Sequence, residues 1–315
     1  MNSPNDLANL KSSISIDPGN LSLLLESFIR DYMEKLEREG IILGLSGGID
    51  SAVVAVLCKR AVGAEKVVAL IMPEKDSAEK HKKDALHFAR ELNIEARLID
   101  ITPYLRKFGS YKLLLLNKVP LPGKLKDTLT KKAYKFYERK TGETPFSASI
   151  SGFKDKKFSS YLAKGNAYYR IKHRVRMVLL YLYGEIENRL VVGAANKTEC
   201  KIGFFVKHGC DAATDIMPIM GLYKTQVREL AKYLNIPSNI TGKSPSPDII
   251  PGITDEEAIG IPYEKLDLVL LALERGWGIS EIADTLEIEE KQIEYIRNLT
   301  LKSEHMRRVY LPELQ

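Results

Sequence analysis

Gly44-Leu45-Ser46-Gly47-Gly48-Ile49-Asp50-Ser51 is the stretch on which the reading of this chain turns. Ile41, Ile42 and Leu43 precede it as a short apolar run suited to a buried parallel strand, and Ala52 to Cys58 continue it as a buried helix. Strand, tight loop and helix start together predict a phosphate cradle. Glycines let the backbone turn sharply, and the N–H groups and dipole of a new helix favour an anion. No Gly-Lys-Ser/Thr follows, so this is not a Walker A loop, and the glycine spacing is not that of the dinucleotide fingerprint. Asp50 adds a further requirement: a carboxylate beside a polyphosphate is repelled unless a cation lies between them, which implies Mg²⁺.

Outward from the loop the pattern alternates. Lys66 to Met72 reads as a second strand, Ala78 to Leu92 as a helix, Ala96 to Asp100 as a third strand and Leu190 to Gly193 as a further one. That order predicts an α/β fold, a doubly wound parallel sheet with its ligands at the carboxyl ends of the strands. Met72-Pro73 to Ser77 then lies beside the loop, where an adenine could rest. Before the loop, Leu21, Leu24, Leu25, Phe28, Ile29, Tyr32, Met33 and Leu36 recur at helical spacing, with Gly40 as a stop.

From about 105 to 163 the alternation breaks, and a structureless loop of that length is improbable in a compact domain. Leu125, Leu129, Ala133 and Tyr137 recur every four residues among lysines, and Thr141-Gly142 closes the run. This predicts a basic amphipathic helix inside an inserted lid. The segment has about ten more basic than acidic side chains, so it holds more than the net charge of +6. Three readings stand: a solvated face, a cover for a phosphate-bearing substrate, or a nucleic-acid surface. Helical patterns fill about 263–315, where Ile279 to Ile288 and the helix after it can pass for a helix-turn-helix. Glu289, Glu290 and Glu294 suit a phosphate backbone poorly, so the expectation is scaffold and no nucleic-acid partner. The whole of 1–315 is read as one domain carrying the insert and this extension.

Hydrophobic content of 44% and charged content of 28% suit a globular chain. No apolar run approaches the ~20 residues that cross a bilayer, and Met1 to Asp6 has no signal character. Cys58, Cys200 and Cys210 form no paired motif. The expectation is a cytoplasmic protein without a membrane partner. Glu199, following a strand, could complete the cation site begun by Asp50, and Lys224 and Ser246 are natural phosphate ligands.

The Ser46 to Ser51 string resembles the pyrophosphate loop of the ATP pyrophosphatases, which cleave ATP to AMP and pyrophosphate while adenylating a substrate. With Arg174-x-Arg176-Met177, Asn196-Lys197-x-Glu199, Gly203-Phe204-Phe205-x-Lys207, Leu222 to Gln226 and Pro245-Ser246-x-Asp248, the chain resembles the NAD synthetases, ammonia-dependent type, from about Leu21 onward. The resemblance implies an ATP- and Mg²⁺-dependent ligase that amidates deamido-NAD to NAD through an adenylated intermediate, using ammonia. Gly44, Leu45, Ser46, Gly47, Gly48, Ile49, Asp50 and Ser51 would bind ATP phosphates with Lys224 and Ser246, and Asp50 and Glu199 would hold Mg²⁺. Arg174, Lys207, Asp211, Asp215 and His305 would hold the acceptor. Catalysis would rest on Asp50, Lys224, Asp211 and Asp215, with Asp211 accepting a proton from ammonium. The family implies a homodimer, and the roughly 40 residues before the loop are too few for an amidase domain, so free ammonia or a separate glutaminase is the expected nitrogen source.

The departures fall on the acceptor side. The family's Gly-Asp-Gly-x-x-Asp aligns with Gly209 to Asp215 only if Cys210 is an insertion. Ala194 replaces a usual Thr, Gly165-Asn166 stands four residues further from Arg174 than expected, and His305-Met306-Arg307 replaces His-Lys-Arg. Two other classes remain open at this point. One is another ATP pyrophosphatase acting on a nucleotide or tRNA; the other is a non-catalytic nucleotide- or RNA-binding protein.

Overall fold

Four short apolar runs form β1 (Gly40–Gly44), β2 (Val67–Ile71), β3 (Glu95–Leu98) and β4 (Arg189–Val192). They pair in parallel in the order β3-β2-β1-β4, with Ile42 opposite both Val68 and Val191. Ile41, Leu43, Val67, Ala69 and Ile71 enter one core, while Ile42, Val68 and Leu70 enter another. Strands apolar on both sides need both faces covered, and the doubly wound sheet expected from the sequence is what forms. The chain leaves β1 toward β2 in one direction and returns to β4 on its other side. The crevice outside the carboxyl ends of β1 and β4 is therefore the switch point at which such sheets bind ligands.

The computed structural model describes residues 4–114, 123–152, 156–243 and 253–312. In chain order the helices are α1 (Pro4–Ile14), α2 (Pro18–Lys35), α3 (Ile49–Val62), α4 (Glu79–Glu91), α5 (Thr102–Lys107), α6 (Gly123–Thr141), α7 (Pro145–Ser151) and α8 (Lys156–Ile186). After β4 come α9 (Lys197–Ile202), α10 (Lys224–Tyr233), α11 (Ser238–Thr241), α12 (Asp255–Ile259), α13 (Tyr263–Glu274), α14 (Ile279–Leu286), α15 (Glu290–Lys302) and α16 (Glu304–Arg307). Helices α2, α3, α4 and α10 cover one face of the sheet; α5 and α8 cover the other. None of the described helices is long and apolar enough to cross a membrane.

Three local expectations change. Gly40 does not stop α2, which ends at Lys35; it opens β1, where a Cβ would lie 2.6 Å from the Lys66 carbonyl oxygen. On α2 it is Leu25, Ile29 and Met33 that are buried, whereas Leu24 is exposed. The basic helix of the insert exists as α6 and closes at Thr141, but Leu125, Leu129 and Ala133 are exposed. Its buried face is Tyr134 and Tyr137: Tyr134 donates to the Ala258 carbonyl at 3.0 Å, and the Tyr137 ring stands 5.7 Å from that of Phe158. Polar-ended aromatics, which satisfy their hydroxyls while burying a ring, displaced the aliphatic stripe.

The C-terminal helices are scaffold. Ile282, Leu286, Ile293, Ile296 and Leu299 are buried in one core with Leu10 of α1 and Phe146 of α7.

Below the sheet, Glu187 accepts from both Arg97 and Arg189. Hydrogen bonding from Arg97, more than that from Arg189, lowers its carboxyl from 4.5 to about 2. A depressed folded-state value stabilises the fold fully above about pH 4.5, and the contribution is lost as pH falls through about 2. Glu187→Gln is thus expected to cost about 1 kcal/mol near neutrality after solvent screening. In urea unfolding the gap to the parent should shrink as the pH is lowered toward about 3; a gap independent of pH would contradict the ion pairing.

Candidate active site

The cleft at the switch point is lined by the whole of Gly44 to Ser51, by Met72, Pro73 and Ser77 after β2, and by Glu199, Asp211, Lys224, Lys243 and Asp255. Gly48 caps α3 with no side-chain hydrogen bond, which leaves the first turn's N–H groups to an incoming anion. The loop's two hydroxyls hold the loop itself. Ser46 Oγ accepts from Gly48 N (3.2 Å); Ser51 Oγ accepts from Ser46 N (3.2 Å) and donates to the Gly48 carbonyl (3.0 Å). Lys243 fixes it from outside, donating to the Gly47 carbonyl at 2.8 Å while paired with Asp84 at 2.6 Å.

Gly47 has φ +80°, and a Cβ there would lie 2.6 Å from the His81 carbonyl oxygen. Both the left-handed backbone and the contact with α4 demand glycine. Gly47→Ala is expected to cost about 1–3 kcal/mol of loop geometry and to raise the KM for ATP by about tenfold or more. An unchanged KM would show that the loop does not carry the phosphates.

Beside this loop lies a buried cluster. Lys224 Nζ donates to Asp50 Oδ2 at 2.5 Å and to Glu199 Oε1 at 3.0 Å, and only 2% of the lysine side chain is exposed. Asn196 caps α9 by accepting from Glu199 N (3.0 Å) and donates to Asp50 Oδ1 (3.1 Å), so one amide positions both carboxylates. Burial pushes the Glu199 carboxyl up to about 8 despite the opposing pull of Lys224, and Asp50 and Asp255 add to the rise. Burial first, then Asp50 and Glu256, moves the Asp255 carboxyl up to about 6 against Lys224 and the Tyr263 hydrogen bond. Burial alone would lower the Lys224 ammonium; Asp50, Glu199 and Asp255 outweigh it and raise it.

Asp267 fixes the elements that carry these groups. It accepts from Thr198 Oγ1 at 2.6 Å and from Thr225 N at 2.8 Å, and Lys224 N in turn donates to Thr198 Oγ1 at 2.8 Å. Arg307 binds the Cys200 and Lys201 carbonyls at the end of α9 (3.0 and 2.9 Å).

The loop after β2 is anchored by a second buried pair. Lys172 of α8 donates to Glu74 at 2.6 Å, with side chains 4% and 2% exposed. Tyr111 donates to the other Glu74 oxygen at 2.7 Å, Tyr168 donates to Asp76, and the lysine lies 4.2 Å over the Tyr168 ring.

The family model of NAD synthase matches residues 23–120 and 121–310. The chain belongs to the NAD synthase family. It is 43% identical over 284 residues to the NH₃-dependent NAD⁺ synthetase of Thermotoga maritima, covering 90% of this chain and 95% of that protein. With the NH₃-dependent NAD⁺ synthetase of Methanocaldococcus jannaschii it is 36% identical over 283 residues, 90% and 92% of the two chains. Among solved structures it resembles the NMN synthetase of Francisella tularensis, with a TM-score of 0.69 and 30% identity over 95% of this chain and all of that one. The NH₃-dependent NAD synthetase of Campylobacter jejuni in complex with nitrate gives a TM-score of 0.65 at 28% identity, over 96% and 100%.

Against this NAD synthase fold, the site residues named from sequence divide. Gly44 to Ser51, Glu199, Lys224 and Asp211 line one cleft, whereas Arg174, Lys207, Asp215 and His305 are not among its lining residues. Arg174 donates to the Lys207 carbonyl at 3.4 Å, and Lys207 Nζ to the carbonyls of His305 and Arg308, both at 2.7 Å. His305 Nδ1 is 2.8 Å from the Lys302 carbonyl oxygen. Asp215 accepts from Val191 N at 2.9 Å and from Tyr181 at 3.1 Å, on the edge of β4. Ser246 lies outside the described residues.

Sequence reading missed Asn196 as a positioning amide, Asp255 and Asp267 as buried acids, and His173 as a cleft residue. Arg176 donates to the Met72 carbonyl at 3.1 Å, and His173 Nδ1 lies 2.7 Å from Asp211 Oδ2. The positions of His173 and Arg176 flanking Arg174 on one helix were the available signal.

Proposed function

We propose that this chain converts deamido-NAD to NAD as an ATP- and ammonia-dependent amide ligase, releasing AMP and pyrophosphate. The observation that carries the reading is the Lys224 ammonium buried between Asp50 and Glu199 at the mouth of an uncapped helix start. A carboxylate becomes a usable electrophile when its oxygen attacks the α-phosphorus of ATP, expels pyrophosphate and is left as an acyl-AMP mixed anhydride. Loop N–H groups from Gly44 to Ser51 bind the departing phosphates, and Lys224 neutralises the charge that collects on them. No enzyme nucleophile is needed.

Asp50 and Glu199 are hard oxygen donors already held together around one cation, a donor set that fits Mg²⁺. Bound there, Mg²⁺ would neutralise polyphosphate charge. On the acceptor side we place Arg174, Lys207, Asp215 and His305 around the nicotinate end, and Ser246 on the phosphates. Asp211 takes a proton from ammonium beside this anhydride, and the ammonia so formed attacks the acyl carbon and expels AMP. Burial alone would raise its carboxyl, but His173, with Cys210 and Arg176, outweighs that effect and holds it below the ordinary range, which keeps it ionised to face ammonium. Asp211→Asn should therefore lose ammonia-supported amidation and alter the pH profile; full activity with the same profile would remove it from this role.

Val178, Leu182 and Ile186, a turn apart on α8, are exposed and form the surface on which we place a second copy. Light scattering reads the homodimer directly. We place the enzyme in the cytoplasm, with free ammonia or a separate glutaminase as its nitrogen source.

The deciding assay is pyrophosphate release with ATP, Mg²⁺ and ammonia against a panel of acceptors: deamido-NAD, nicotinic acid mononucleotide and none. Turnover with deamido-NAD is expected. Silence there with turnover on the mononucleotide would reassign the acceptor, and silence with both would overturn the reading.

A further inference from the structure

The geometry points to a second cation site, for a thiophilic divalent ion of the Zn²⁺ class, formed by His173, Cys210 and Asp211 at the acceptor side of the cleft. All three line that cleft and are partly buried. Cys210 Sγ lies 3.7 Å from His173 Nδ1 and 3.4 Å from Asp211 Oδ1, and His173 Nδ1 lies 2.7 Å from Asp211 Oδ2. Tetrahedral Zn²⁺ with ordinary bond lengths sets its ligand atoms about 3.5 Å apart where sulfur is one of the pair and about 3.3 Å apart for nitrogen and oxygen. The sulfur–nitrogen edge already fits, and the sulfur–oxygen edge fits through Oδ1 while His173 meets Oδ2, so Asp211 must turn to offer one oxygen to both. The third is a hydrogen bond that opens by about 0.6 Å when a cation replaces the shared proton.

The backbone holds these ligands at close quarters. Cys210 N donates to the His173 carbonyl at 3.1 Å, and a Cβ on Gly209 would lie 2.9 Å from His173 Cβ, so a side chain there would push the loop off α8. Donor type separates this site from that of Asp50 and Glu199. Two carboxylates suit Mg²⁺, whereas thiolate with imidazole selects a softer ion. Burial holds the Cys210 thiol protonated and inert as a nucleophile, so coordination releases that proton to solvent. Arg176, whose charge acts on both Cys210 and Asp211, has its Nε turned to the Met72 carbonyl. Three protein ligands leave a fourth position for water.

The functional consequence rests on the reading above. An ion here takes Asp211 away from ammonia, so the site switches amidation off while leaving the ATP half intact.

Binding is tested separately from activity by titrating the full chain with Co²⁺ and following the thiolate-to-cobalt charge-transfer band. The parent should show the band, and Zn²⁺ should abolish it by displacement. Cys210→Ser should lack the band, whereas Cys200→Ser should keep it. In the amidation assay, Zn²⁺ should inhibit the parent reversibly, with relief by chelator in excess Mg²⁺, and Cys210→Ser should resist by more than about tenfold, each protein being scored against its own metal-free turnover. No band, or a band retained in Cys210→Ser, overturns the site. Equal inhibition of both proteins overturns the switch. Absence of metal-free turnover in the parent would instead count against the proposed reaction, and the cobalt titration would still decide the site.

Discussion

Replacing Lys224 with methionine is expected to lower kcat by about 10²–10³ and to destabilise the fold by about 3–5 kcal/mol. The two effects share one cause. Lys224 is 2% exposed and is the cation between Asp50 and Glu199, so its loss leaves two buried carboxylates facing each other. Burial already pushes the Glu199 carboxyl up to about 8 against the pull of Lys224, so without the ammonium it is held protonated more firmly still and the cluster loses its charge pattern. Methionine keeps the volume and hydrophobic stem, so the change isolates the ammonium. Arginine is no rescue, since a planar fork does not fit where a compact ammonium bridges two oxygens. Mg²⁺ adds an independent readout: it should raise the thermal midpoint of Lys224→Met by more than that of the parent, whose carboxylates already share a cation. Activity near the parent's, or a stability change under about 1 kcal/mol, would show that the cluster is incidental.

The second large effect is expected at Lys172. Lys172→Met strands the Glu74 carboxylate in a site 2% exposed, with Tyr111 as its remaining hydrogen-bond donor to a side-chain oxygen among the described contacts. Breaking a buried pair from one side costs about 3–5 kcal/mol, whereas neutralising both partners often costs little. The double variant Lys172→Met with Glu74→Gln should accordingly recover most of the stability lost by the single one. Because Pro73 and Ser77 line the cleft proposed to take ATP, the single variant should also raise the KM for ATP, and the double variant should restore it in part. Additive losses in chemical unfolding would refute the pairing.

The half of the site nearest the sheet was legible because its signals are local. A run such as Ile41-Ile42-Leu43 is apolar on both sides only if both faces are covered, and a glycine-rich turn straight after it has few uses other than an anion. Asp50 and Glu199 could be brought together from the sequence because each follows a strand of the same sheet, and both meet at Lys224. What could not be read is the bridge between them. Lys224 was assigned to phosphate, but the fold places its ammonium first against the two acids, a relation set by α9 and α10 meeting on Asp267. The burial of α6 through Tyr134 was hidden for a similar reason, since its partner Ala258 lies 124 positions away. The acceptor side was least legible. Its candidates come from α8, the segment after α9 and the region near α16, and Lys207 reaches carbonyls of His305 and Arg308 about a hundred residues further on.

The anchoring of α9 by Asp267 and Arg307 has a consequence for the order in which the molecule becomes competent. On the ribosome the glycine loop and all four strands emerge well before α13 and α16. Until those helices dock, Thr198 and Thr225 lack the Asp267 carboxylate and α9 lacks the Arg307 clamp, so Glu199 and Lys224 are not fixed beside Asp50. A partly synthesised chain thus possesses a phosphate cradle without the charges that make it reactive. Docking of the helical layer is therefore the step that completes the cluster of Asp50, Glu199 and Lys224.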